Sequence, residues 1–315
     1  MLLAMNAMPY TIRLARPAER EVALQLALDE LHRAQRASVI ESTMPLARQG
    51  VDPMSWLFVA TAGRMPVAAA WVQPQVGRTA ALWIGCKGRG EFLHLAADTG
   101  LSAMRASQAY GWQLLQVLVD PEDTNRITLM EMMGLNELAA LRYFEWDTEW
   151  RLPAVSGLPL DIAPCAADHP QFAQLLESTY EATLDCPGLA DIRNIADTVA
   201  GYQSAGDYDS RLWFTVSVDS QLAAVLLLTP YNDLQQWELT YLGVMRPFRR
   251  RGIARQLVCH AQHLARDAQV DRIVLAADSS NLPVISIYQQ QGFRHWADRI
   301  AFYQTRVDGQ SKSND

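Results

Sequence analysis

Apolar positions along this chain follow two periods, one near two residues and one near 3.6, which separate half-buried strands from amphipathic helices. Alternation predicts strands over residues 10–14, 56–61, 67–72 and 79–85, the second and third joined as a hairpin through Ala62-Gly63-Arg64. The helical period covers residues 19–32, with Val22, Leu24, Leu26, Ala27 and Leu31 on the side to be buried, and broadly residues 92–110. Residues 112–120 read as a strongly apolar strand and 128–133 as a helix closed by Gly134. Phe144-Glu145-Trp146 supplies a last strand.

The second half repeats that order. A strand over 160–163, a helix over 171–183 and a hairpin of 212–218 with 222–228 across Asp219-Ser220-Gln221 lead to a strand beginning at Trp237. A shift of 158 residues lays Trp83 on Tyr241, Gly85 on Gly243, Asp120 on Asp278, Gly134 on Gly292, Leu135 on Phe293 and Phe144 on Phe302. So many coincidences at one offset point to a duplicated unit. The Pro, Gly and Ser content of Leu152-Pro153-Ala154-Val155-Ser156-Gly157-Leu158-Pro159 marks the joint, giving domains at 1–152 and 158–307 and a polar tail at 308–315.

Chemistry concentrates after Trp237. Along WELTYLGV, Leu239, Tyr241 and Gly243 are expected on one face and Glu238, Thr240 and Leu242 on the other. Arg246-Pro247-Phe248-Arg249-Arg250-Arg251-Gly252-Ile253-Ala254 then runs into a helix with Ile253, Leu257, Val258, Ala261 and Leu264 at helical spacing. A strand, a turn and a helix N-terminus in this order aim unpaired N–H groups and the positive end of the helix dipole at one point, which suits a phosphate. Gly252 has no Cβ to hold an anion away, and Ala254 is small. Arg246, Arg249, Arg250, Arg251 and Arg255 make the field locally positive in a chain of net charge −7.

Arg249-x-x-Gly252-x-Ala254 resembles the R/Q-x-x-G-x-G/A signature of the GCN5-related N-acetyltransferases (GNATs). Behind it come a buried strand over 273–277, a helix opened by Asn281 and Pro283, and Tyr288-Gln-Gln-Gln-Gly292-Phe293, similar to that superfamily's next motif. The resemblance covers residues 158 to 306. It implies an α/β (α+β) tandem GNAT fold: two mixed, mostly antiparallel sheets flanked by helices, with the fourth and fifth strands splayed in the C-terminal copy. It also implies acetyl-CoA as acyl-donor cosubstrate, with Leu242, Gly243 and Val244 along the pantetheine arm. Arg249, Arg250, Arg251, Gly252, Ile253 and Ala254 would wrap the pyrophosphate, and Asn281 would hydrogen-bond the arm. Tyr288 would be the general acid for the departing thiolate, since a phenol stays protonated at neutral pH.

Attack on a thioester needs a neutral amine, so a base must take a proton from an ammonium group. Glu238 is the candidate; members of the resembling superfamily carry a catalytic glutamate at this place, and apolar flanks favour a raised pKa. Between Leu158 and Asp233 eleven acids face two bases, Arg193 and Arg211, an expected acidic wall for a cationic acceptor, with Tyr180, Thr183 and Asp185 as candidate contacts.

The two copies differ. At the 158 offset Glu91 stands for Arg249, His94 for Gly252 and Met130 for Tyr288, so the N-terminal copy is expected to have lost cofactor binding.

Composition narrows the classes. Half the residues are apolar and 19% charged, which is ordinary for a globular protein; the sequence pI near 5.4 argues against nucleic acid as main partner. No apolar run approaches eighteen residues and MLLAMNAMPY lacks a basic region, so no membrane partner and no signal peptide are expected. Cys86, Cys165, Cys186 and Cys259 lack paired spacing, which suits reduced thiols and a cytoplasmic setting, with Cys86 and Cys259 in the core. His260 and His263 are too few for a metal site, so no metal is expected. The sequence therefore reads as an N-acetyltransferase for a small cationic amine, monomer or homodimer. A protein or peptide N-acetyltransferase and a non-catalytic acyl-CoA sensor stand as alternatives.

Overall fold

The computed structural model describes residues 10–306 except 32, 42–49, 51, 89, 155–156, 190–191 and 193. The opening nine residues, part of the predicted linker and the predicted tail thus lie outside the described residues. The chain divides into two compact units, one comprising the described residues up to 137 with those from 301 onward, the other residues 138–300.

In the first unit β1 (Tyr10–Leu14), β2 (Leu57–Ala62), β3 (Met65–Gln75) and β4 (Thr79–Cys86) pair antiparallel in succession, and β5 (Leu114–Val119) joins β4 in parallel. Its helices are α1 (Arg20–Ala27), α2 (Arg33–Glu41), α3 (Leu93–Ser107) and α4 (Thr124–Met132). The helix expected over 19–32 ends at Ala27 instead, and α2 was not expected. Its run, RAQRASVIE, carries only two strongly apolar residues, Val39 and Ile40, too few to show a helical period. Cys86 is half-buried rather than in the core, whereas Cys259 is buried.

The second unit contains β7 (Asp161–Pro164), α5 (Phe172–Thr179), α6 (Ile195–Ser204), β8 (Trp213–Val218), β9 (Gln221–Tyr231), β10 (Gln236–Val244), α7 (Ile253–Asp267), β11 (Arg272–Asp278) and α8 (Leu282–Gln290). β7, β8, β9 and β10 run antiparallel and β11 is parallel to β10. Successive residues of a strand face opposite sides. Trp213, Val225 and Leu227 accordingly pack with Phe172 and Leu176 of α5 and Val199 of α6. Phe214, Leu226 and Leu228 pack with Leu257, Val258 and Ala261 of α7 and Ile285 of α8. Sheet between two helix layers is the result.

Two sequence expectations need correction. The first is that each copy completes its own sheet. β6 (Asn136–Asp147), the last strand of the first copy, pairs antiparallel with β11 over seven positions, from Arg272↔Asp147 to Asp278↔Leu141. β12 (Arg294–Thr305) is itself divided between the units, seven residues in the second and five in the first. β11 would otherwise present an unpaired edge, and β6 covers it while inserting Phe144 and Trp146, both fully buried, into the core beneath α7 and α8. The second is the simple alternation along β10. Leu239 pairs with Leu228 and Tyr241 with Leu227, so Thr240 is an extra residue on β10. Leu239 therefore joins the α7–α8 core whereas Tyr241 turns to the α5–α6 side.

Candidate active site

The β10–β11 ladder holds only Gln236, Trp237 and Glu238 against Arg272, Ile273 and Val274, while β9 follows β10 to Val244. Beyond Glu238 the parallel strands part around the bulge at Thr240. A cavity of about 540 Å³ occupies the parting, lined by Leu239 to Val244, by Ala276 and Ala277 of β11, by the turn into α7 and by α8.

The turn is built from backbone more than from charge. Arg250 has φ +65° and Gly252 φ +80°, both left-handed, so the chain reverses twice within three residues. A Cβ at Gly252 would meet no protein atom within 4 Å, so the space beside it is open. Gly252 is the N-cap of the fifteen-residue α7, has no side chain to cap it, and accepts the first helical bond from Gln256 N–H at 3.2 Å. The N–H groups of Ile253, Ala254 and Arg255 have no i−4 partner and border the cavity. That arrangement fits a diphosphate.

Arg249 lines the cavity and is also held by backbone. Its guanidinium donates to four carbonyls: Val244 at 2.9 Å, Ala182 at 2.8 Å, Thr179 at 3.1 Å and Glu181 at 2.6 Å. The side chain ties the end of α5 to the end of β10 and has little left for a phosphate. Arg250 and Arg255 line the cavity; Arg251 does not, and lies over the Phe248 ring at 5.3 Å. Arg246 pairs with Glu181 at 3.0 Å on the surface.

At the other end Asn281 caps α8, accepting weakly from Val284 N–H at 3.4 Å, and its residue borders the cavity. Tyr288 is 4% exposed, packed against Phe144 and Phe293 with ring centroids 6.0 and 5.7 Å away, and reaches the cavity wall. Burial first, and then the negative charge of Asp185, push its hydroxyl pKa well above the ordinary phenol value. It stays protonated across any working pH.

Of the other candidates, Thr183 and Asp185 line the cavity, while Tyr180 and Glu238 do not. The Tyr180 hydroxyl is engaged with that of Tyr202 at 3.2 Å, and its ring meets Tyr241 edge-on at 5.3 Å. Glu238 accepts from the Tyr231 hydroxyl at 3.0 Å; burial raises its carboxyl pKa and that hydrogen bond holds it partly down. The acidic wall contracts to one residue. Among the described cavity-lining residues Asp185 alone is acidic; Asp209 is paired with Arg211 at 2.7 Å and Glu181 with Arg246.

Arg255, already counted among the arginines of the turn, lines the cavity as well, and so do Thr179 and Ile287, which sequence reasoning did not single out. Ile287 was recoverable, since it lies four residues after Pro283 and three after Val284 on one helix face. Thr179 carried no signal: its hydroxyl meets that of Tyr241 at 2.6 Å, sixty-two residues away.

Residues 171–293 match the family model described as the acetyltransferase (GNAT) family. That match runs from the start of α5 to just past α8, less than half of the chain, and likens this stretch to a GNAT acetyltransferase domain. Along nearly its whole length it is also similar to solved structures. A GCN5-related N-acetyltransferase from Sphaerobacter thermophilus has 16% identity and a TM-score of 0.67, covering 95% of this chain and 97% of that one. A tandem GNAT protein from the clavulanic acid biosynthesis pathway has 16% identity and a TM-score of 0.55, covering 95% and 98%. At such identities the likeness shows the fold, a GNAT-like α/β architecture in tandem. No curated protein matches the chain.

The N-terminal copy of the GNAT pattern keeps the splay, for β4 and β5 pair only over Thr79–Ala81 and Leu114–Gln116. Its parting is crossed by Arg126 of α4, which donates to Ile84 O at 2.5 Å and to Asp123 at 3.1 Å, and also pairs with Asp29. Among the described residues no three His, Cys, Asp or Glu are placed to share a metal ion. No described helix is long and apolar enough to cross a membrane.

Proposed function

We propose that the C-terminal copy transfers an acetyl group from acetyl-CoA to a small cationic amine, and that the N-terminal copy is a structural partner without a donor site. The observation that carries this reading is the single cavity bordered at one end by the uncapped N-terminus of α7 at Gly252 and at the other by Tyr288. A nucleoside diphosphate fits the first end, where backbone N–H groups are free and no Cβ intrudes. An extended thiol arm fits the parted edges of β10 and β11, whose main-chain groups lack ladder partners there. A protonated phenol at the far end suits a departing thiolate. Asp185 on the same wall favours a cationic acceptor.

Thiol release from acetyl-CoA against a panel of amines tests the reading. Turnover with small amines is expected in the wild type, and Gly252→Trp, whose side chain would enter the space beside the helix end, should weaken acetyl-CoA binding at least tenfold. Release with peptide substrates alone would replace the small amine by a protein acceptor. Binding without release under any amine would make the chain a sensor.

A further inference from the structure

The acceptor nitrogen must lose a proton before or as it attacks, and GNAT-like chemistry leaves open which group takes it. Two carboxylates are near enough to consider. Glu238 stands on β10 before the strands part, hydrogen-bonded to Tyr231 and absent from the cavity wall. Asp185 stands in the loop after α5 and is part of that wall.

Asp185 is also held. Its Oδ1 accepts from Asp278 N–H at 2.9 Å at the end of β11, and Asp278 returns the contact by accepting from Cys186 N–H at 3.1 Å. Asp278 is 5% exposed and its other oxygen takes the N–H of Ser280 at 2.8 Å and the hydroxyl of Ser280 at 2.7 Å. These bonds clamp the loop onto the floor of the cavity. Arg249 grips the same loop from its other end through Glu181 and Ala182. A clamped carboxylate keeps one position as substrates come and go, which a general base requires.

Resting on the acyltransfer reading above, we propose that Asp185, not Glu238, is the base that accepts the proton of the acceptor ammonium. In that step an N–H bond of the ammonium breaks and the proton passes to the Asp185 carboxylate. The freed nitrogen lone pair forms a C–N bond to the thioester carbonyl carbon. As the C–S bond breaks, the sulfur takes its electron pair and receives a proton from Tyr288. The nitrogen now bonded to the carbonyl carbon loses its second N–H proton, which passes through solvent to restore the Tyr288 phenol, and Asp185 gives its own proton to solvent, so a free thiol and a neutral amide leave.

The charges around Asp185 agree with the role. Asp278 of β11 is hydrogen-bonded to it, and Tyr241 of β10 and Tyr288 of α8 lie within its field. Burial, and the neighbouring Asp278 charge, raise the Asp185 carboxyl above its ordinary value, while the Asp278 N–H opposes them. A raised pKa makes a carboxylate a better proton acceptor.

The test compares Asp185→Asn with Glu238→Gln on one amine that the wild type turns over. Asn keeps an oxygen for the Asp278 N–H, so acetyl-CoA affinity should stay within about twofold and report that the site is folded. Its turnover should fall about 10²- to 10⁴-fold, with loss of the acidic limb of the kcat/KM profile, and Asp185→Glu should restore that limb in part. Glu238→Gln should keep the limb. An acidic limb intact in Asp185→Asn, or lost in Glu238→Gln alone, overturns the assignment. A wild type that releases no thiol with any amine or peptide overturns the acyltransfer reading itself.

Discussion

Arg126 and Ile84 are joined across the parting of β4 and β5 by a hydrogen bond of 2.5 Å from guanidinium to carbonyl. Their counterparts 158 residues on, Val284 and Leu242, both line the open cavity of the C-terminal copy. One duplicated frame thus has a cationic bar in the first copy and a passage in the second. The Arg126 side chain is 12% exposed and also meets Asp29, Glu30 and Asp123. Removing it strands a carbonyl and a partly buried carboxylate, a loss of about 3 kcal/mol. Arg126→Ala should lower the denaturant midpoint accordingly, and calorimetric titration of the wild type should give one acetyl-CoA per chain. Two equivalents would mean that the bar does not close the first copy.

Arg249 leads to a prediction opposite to the one its motif suggests. A guanidinium donating to four carbonyls is a fork that an ammonium cannot reproduce, because Lys has three donors on a single point. Arg249→Lys should therefore loosen the loop that carries Asp185, lowering stability by about 2 kcal/mol and raising the KM for the amine. Affinity for coenzyme A, measured by direct titration, should change less than in Arg250→Ala. A reversed order would return Arg249 to the phosphates.

Tyr288 is the sole phenol bordering the cavity from the α8 side among the described residues, and Phe fills the same volume. Tyr288→Phe should leave acetyl-CoA affinity nearly unchanged and reduce turnover about 10²-fold or more. Because burial keeps this hydroxyl protonated, any basic limb in the wild-type profile should persist with its midpoint unmoved in the residual activity of the variant. Full turnover in Tyr288→Phe would remove the phenol from thiolate protonation.

Much of this was legible in the chain. Local rules set β10, the turn, α7, β11 and α8: alternating residues, a left-handed glycine, an Asn-x-Pro helix start and a closing glycine each act within a few residues. The C-terminal element offset of 158 is likewise visible in sequence because α4 and α8, and β6 and β12, have equal lengths. Three features were not legible. The bulge at Thr240 depends on how β9 is registered, which the β10 sequence does not contain. The pairing of β6 with β11 is a choice of partner among similar apolar strands, made by where Phe144 and Trp146 find a core. Arg249 matched its motif by identity, yet its partners are set by the positions of four carbonyls, three of them near residue 180.

Glu238 provides a pH test that separates burial from catalysis. Its folded-state carboxyl pKa is raised above the ordinary 4.5, mainly by burial, against the opposing hydrogen bond from Tyr231. Between the unfolded value and the folded one, the native state holds a proton that the unfolded chain has released. Stability therefore falls as pH rises through that interval and stays lower above it. Gln is nearly isosteric, carries no charge and still offers an oxygen to the Tyr231 hydroxyl, so Glu238→Gln should abolish this loss. Thermal melts of the two proteins should nearly coincide near pH 4 and separate with increasing pH, the variant melting higher at pH 8. A difference that does not change with pH would mean that the carboxyl titrates alike folded and unfolded, leaving no burial penalty for the variant to relieve.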